Sequence, residues 1–148
     1  MNHPGKCRNL HGHSVKASIS IQQGQLNDQG MVCDFSDIKD CVEAYIDDCL
    51  DHNFLLHKDD PIIPMLTENN ERFLALDEHP TAEVLSKMIY QHLKQAGFNV
   101  AQVVLWETAS AYACYRESWH WLWALLIRST SHIAWNKSVN PIIRSYLS

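Results

Sequence analysis

From His11 to Ile21 the odd positions read His11, His13, Val15, Ala17, Ile19 and Ile21, while Ser14, Lys16, Ser18 and Ser20 fall between them. Period-two alternation describes a half-buried β-strand, with both histidines on its apolar side. Such a strand has to be covered, and two helical patterns supply the cover. After a polar, turn-like stretch from Gly24 to Gly30, Met31–Phe35 is short and extended at best. Ser36 then reads as an N-cap, followed by Ile38, Cys41, Val42, Tyr45, Ile46, Cys49 and Leu50. Steps of three and four place these on one stripe. The helix ends at Asp51-His52-Asn53. Past Pro80, Thr81 is the cap of a second helix with the stripe Leu85, Met88, Ile89, His92, Leu93 and Ala96, and Gly97 is its stop.

Val100–Glu107 and Ala111–Glu117 read as two further strands around a Thr-Ala-Ser turn. The order β-α-α-β-β predicts an α+β domain, with two helices covering one face of an antiparallel sheet. Residues 57–80 are polar and proline-containing, longer than an ordinary connection, and read as a functional loop or an insertion.

Charge divides the chain. Residues 1–117 carry nine Lys/Arg and seventeen Asp/Glu, a net of −8, whereas 118–148 hold Arg128, Lys137 and Arg144, no acid, and four of the five tryptophans. The expected division is therefore a domain at 1–117 and an atypical Trp-rich tail at 118–148. An overall charge of −5 gives no basic footprint for nucleic acid. The apolar run Trp119–Ile127 is too short to span a bilayer. Five cysteines without CxxC spacing or a secretory leader imply reduced thiols and a cytoplasmic chain.

The densest chemical signal is Cys7-Arg8-Asn9-Leu10-His11-Gly12-His13. On a strand, residues i and i+2 point the same way, so His11 and His13 can hold one metal ion together. Taken alone, an HxH pair is as readily two half-buried side chains. Cys7 lies just upstream, where a neighbouring cation would favour its thiolate. Asp51-His52 sets an acid beside an imidazole at a helix end, suited to proton transfer or simply to a solvated terminus. Glu107 closes an otherwise apolar strand, and a buried carboxylate there calls for a bidentate donor such as the edge of a heterocycle.

Cys-x-x-x-His-Gly-His, Gly30-Met31-Val32-x-Asp34-Phe35, Leu50-Asp51-His52, Pro80-Thr81-x-Glu83 and Trp106-Glu107-Thr108 follow one another in an order that resembles the 6-pyruvoyl-tetrahydropterin synthase family. The likeness is greatest to its bacterial branch, the 6-carboxy-tetrahydropterin synthases of queuosine synthesis. It implies a tunnelling fold (T-fold) assembled as a homo-oligomer, a trimer of dimers. It also implies Zn2+ on His11 and His13, Cys7 as catalytic thiol with Asp51 and His52 as acid–base partners, and a pterin anchored by Glu107 with Thr81 and Glu83 lining its pocket. The implied substrate is 7,8-dihydroneopterin triphosphate. The 6-pyruvoyl branch, or a non-catalytic remnant that binds pterin or only oligomerises, are the alternatives.

The family opens with a strand carrying a third zinc histidine in a Phe-x-x-x-His context, and nothing upstream of Cys7 matches it. His3 is the one histidine there. The resemblance thus implies a missing first strand, an unpaired edge along His11–Ile21, and a poorly soluble chain that binds little zinc. Pairing by the tail would repair the edge, but its Trp-rich run shows no clean alternation.

Overall fold

The computed structural model describes residues 9–117, 133–139 and 142–143. The elements run β1 (His11–Gly12), β2 (Val15–Ile21), α1 (Phe35–Cys49), β3 (Phe54–His57), α2 (Ile63–Glu68), β4 (Phe73–Leu76), α3 (Ala82–Gln95), β5 (Val100–Trp106), β6 (Tyr112–Tyr115), β7 (Ile133–Val139) and β8 (Ile142–Ile143). One sheet, ordered β6-β5-β2-β7, is antiparallel throughout. The other, ordered β1-β8-β3-β4, mixes an antiparallel β1–β8 pair with parallel β8–β3 and β3–β4 pairs.

The alternation of β2 works as expected: Val15, Ala17, Ile19 and Ile21 are all buried. They pack in one core with Ile38, Val42 and Ile46 of α1, Leu85, Ile89 and Leu93 of α3, and Val103 and Leu105 of β5. The two predicted helical stripes thus cover the antiparallel sheet, and the α+β architecture holds.

Four local expectations are corrected. The predicted strand His11–Ile21 is broken at His13–Ser14, so β1 and β2 belong to different sheets. Alternation persists across such a break because each half still has its own buried side. The cap of α1 is Asp34, which accepts from the Ser36 amide at 2.8 Å and the Ser36 hydroxyl at 2.6 Å; a carboxylate two residues earlier displaces Ser36 from the role. Residues 57–80 are no irregular loop: they carry the end of β3, a third helix α2, and β4. Leu66, Leu74 and Leu76 supply their apolar anchors, spaced too short for a clear periodic signal. Lastly, the edge of β2 is paired along its whole length by β7, from Val15 opposite Val139 to Ile21 opposite Ile133. The pairing strand lies downstream of the Trp119–Ile127 run, which is outside the described residues.

Thr81 caps α3 as expected, its hydroxyl accepting from the Val84 amide at 3.4 Å. Gly97 ends that helix with φ at 93°, a left-handed backbone that favours glycine.

Candidate active site

The break between β1 and β2 sets His11 and His13 at a corner between the two sheets. Their ring centroids lie 4.6 Å apart in an edge-on arrangement. The Asn9 carbonyl accepts a hydrogen bond from His11 Nδ1 at 2.7 Å, which fixes that ring's tautomer and leaves Nε2 as the free lone pair. His13 Nε2 is buried and meets no hydrogen-bond partner among the described residues. A buried imidazole nitrogen without a donor or acceptor is costly unless something else fills it. Burial holds the His13 pKa below its ordinary value; the Glu107 carboxylate pulls the other way, and His11 adds a smaller push down. A neutral imidazole is the form that binds a metal.

Glu107 is half-buried just past the end of β5, in the turn that joins β5 to β6. Its amide donates to the Ala111 carbonyl at 3.0 Å, while Thr108 Oγ1 accepts from the Ser110 and Ala111 amides at 3.2 and 2.9 Å. These bonds pin the turn. Beside it opens a cleft of about 480 Å³ lined by Ser14, Val15, Lys16, Trp106, Glu107, Thr108 and Ala109. The structure therefore brings Glu107 within electrostatic reach of His13, as no sequence spacing could show.

Asp51 and His52 follow α1. Asp51 Oδ2 accepts from His52 Nδ1 at 2.9 Å, with the imidazole 75% exposed and the carboxylate 23%. His52 holds φ at 50°, a left-handed conformation that a side chain beyond Cβ disfavours. Strain of this kind persists only where surrounding structure enforces it, and it gathers at functional sites. Here β3 starts two residues on, so the chain must turn sharply between α1 and the sheet.

The remaining sequence candidates stand differently. Thr81 is half-buried and its hydroxyl serves the α3 cap, while Glu83 is exposed in the first turn of the same helix. Neither lines the Glu107 cleft. Cys7 and His3 lie outside the described residues. Among the described residues, no group of three or more His, Cys, Asp or Glu is arranged to hold a metal ion. Sequence reasoning missed Ser14, Lys16 and Thr108 as cleft residues. Ser14 and Lys16 had read only as the polar side of a strand.

A family model described as 6-pyruvoyl tetrahydropterin synthase matches residues 1–118. A 6-carboxy-5,6,7,8-tetrahydropterin synthase of Aquifex aeolicus is 38% identical over 125 residues, covering 76% of this chain and 76% of that one. The enzyme of that name from Haemophilus influenzae is 34% identical over 124 residues, covering 78% and 87%. Among solved structures, an uncharacterized protein of Wolinella succinogenes superposes with a TM-score of 0.63 over 76% of this chain and 81% of its own, at 24% identity, which speaks to the fold alone. The mixed α+β architecture is that of the T-fold. Motif order, fold and relatives agree: the chain is an enzyme belonging to the 6-pyruvoyl tetrahydropterin synthase family.

Proposed function

We propose that the chain converts 7,8-dihydroneopterin triphosphate to 6-carboxy-5,6,7,8-tetrahydropterin, a step of queuosine synthesis, with Zn2+ held by His11 and His13. The observation that carries this reading is the pairing of the His11 and His13 rings, with Glu107 of the adjoining cleft in electrostatic reach of His13, in a chain whose curated relatives bear that enzyme's name. The chemistry of the two imidazoles fits the metal: one ring is oriented by Asn9, and the other presents a buried nitrogen that no group among the described residues satisfies. Zinc bound there would supply Lewis-acid polarisation of the substrate's side-chain oxygens.

The protein's own groups do the rest. Glu107 accepts from the adjacent amino and ring N–H groups of a pterin, with Trp106 forming part of the same wall. Lys16 puts a cation in this cleft, matched in sign to a triphosphate. Asp51 accepts a hydrogen bond from His52 Nδ1–H, which orients the ring and leaves Nε2 to accept or return a proton. Cys7 is the thiol proposed to exchange protons with the side-chain carbons, and Thr81 and Glu83 are proposed to border the pterin. We place the enzyme in the cytoplasm.

Incubating the chain with the triphosphate and Zn2+, and identifying products by mass, tests the proposal. It expects the 6-carboxy product, acetaldehyde and inorganic triphosphate. A 6-pyruvoyl product, or none, refutes it. Glu107→Gln retains the shape but loses one acceptor and the charge. Its affinity for a pterin analogue should fall by about 1.5–3 kcal/mol, roughly ten- to a hundredfold, in a calorimetric titration. Equal affinities would remove Glu107 as the anchor.

A further inference from the structure

We infer that β7 and β8 are a positioning element of the active site, a strap that ties its metal-binding half to its proton-transfer half. The observation is a register. Ile143 stands opposite His11 on one side and opposite Leu55 on the other. Ile142 likewise stands between Gly12 and Phe54. β8 is therefore the strand that joins β1 to β3 in its sheet; among the described residues, β1 has no other strand neighbour. β1 carries His11, and β3 begins two residues after His52. Take β8 away and the backbone bearing His11 loses its hydrogen-bonded link to the strand that follows the Asp51–His52 pair.

The preceding strand anchors the strap. β7 pairs with all seven residues of β2 without a register shift, whereas β5 on the other side of β2 shifts between Ser20 and Ile21. Val139, at the end of β7, stands opposite Val15 of the Glu107 cleft. One segment thus runs along the sheet that holds the cleft and then enters the sheet that holds His11, with only Asn140 and Pro141 between its two strands. Its role is carried by backbone hydrogen bonds, so the identity of its side chains matters less than their ability to pair.

The assignment to an active site rests on the function proposed above, but the strap itself is read without any activity measurement. Successive amides of a strand point to opposite neighbours. Hydrogen exchange on the full chain should therefore show both alternating sets of Val15–Ile21 amides protected, one by β5 and one by β7. If every second amide exchanges as in an unfolded peptide, the edge is open and the inference fails.

Ile143→Pro removes a ladder N–H, and Ile143→Val keeps it. The proline variant should lose protection in β1, at whichever of the His11 and Gly12 amides faces β8, while α1 and α3 keep theirs. It should bind zinc or cobalt roughly tenfold more weakly and alter the cobalt absorption spectrum, with the valine variant restoring both. Unchanged protection of both β1 amides in a folded proline variant overturns the strap. If instead the parent chain binds no metal while β1 responds as expected, the strap stands and the zinc proposal falls.

Discussion

His52 combines an exposed imidazole, a carboxylate partner and a backbone at φ 50°. Those features make separate demands, and glycine separates them. His52→Gly relieves the backbone, worth about 1 kcal/mol, while deleting the proton carrier. The variant should melt no lower than the parent and turn over substrate far more slowly; a lower melting temperature would show that the ring stabilises rather than reacts. His13 makes a pH prediction. Burial lowers its pKa, so the folded state takes up a proton less readily than the unfolded chain. Stability present above its ordinary value of 6.5 is lost as pH falls from there toward the lowered folded value. Urea midpoints of metal-free protein measured from about pH 8 down to about pH 5 should fall below neutrality, and His13→Gln should remove that part of the slope. At this scale the sequence was informative about residue types and silent on proximity. His11 and His13 are legible because i and i+2 share a strand side, but Glu107 reaches the same corner through a hairpin turn and a sheet register that no spacing encodes.

The long elements were readable because their patterns are repeated. Ile38, Val42, Ile46 and Leu50, then Leu85, Ile89 and Leu93, each recur often enough to define a helical face, and all are buried. Ile89 is fully buried between sheet and helices, so Ile89→Ala should cost about 2–5 kcal/mol, read from the urea midpoint at constant slope. A loss well under 1 kcal/mol would mean that the core collapses around the gap. The short elements were not readable. β3, β4 and α2 have four, four and six residues, and four residues contain too few repeats to distinguish a strand from a loop. Asp34 was overlooked for a related reason: both it and Ser36 are good caps, and only the fold's entry angle selects between them. β7 is legible in retrospect, since Ile133, Trp135, Lys137 and Val139 alternate with Ala134, Asn136 and Ser138.

For the whole molecule, the charge break near residue 117 suggested a tail that stands apart, yet β7 and β8 enter both sheets. β6 ends its sheet, and among the described residues it pairs only with β5, with Tyr112 58% exposed. An open edge beside an exposed aromatic suits subunit association. The trimer of dimers that the resemblance implies should sediment at about six times the 17.0 kDa chain, whereas a monomeric mass would leave that edge to another use. The His11–Ile143 pairing also has a temporal side. Its two partners lie more than a hundred residues apart in sequence, and closing the loop between them costs entropy that no local contact offsets beforehand. During synthesis, residues 11–21 leave the ribosome long before residues 133–143. The helices and the β2–β5 pair have their partners first, and the corner holding His11 acquires its last strand at the end. Until then β2 presents a bare row of backbone donors and acceptors to its surroundings, and that interval is when the nascent enzyme is most open to aggregation.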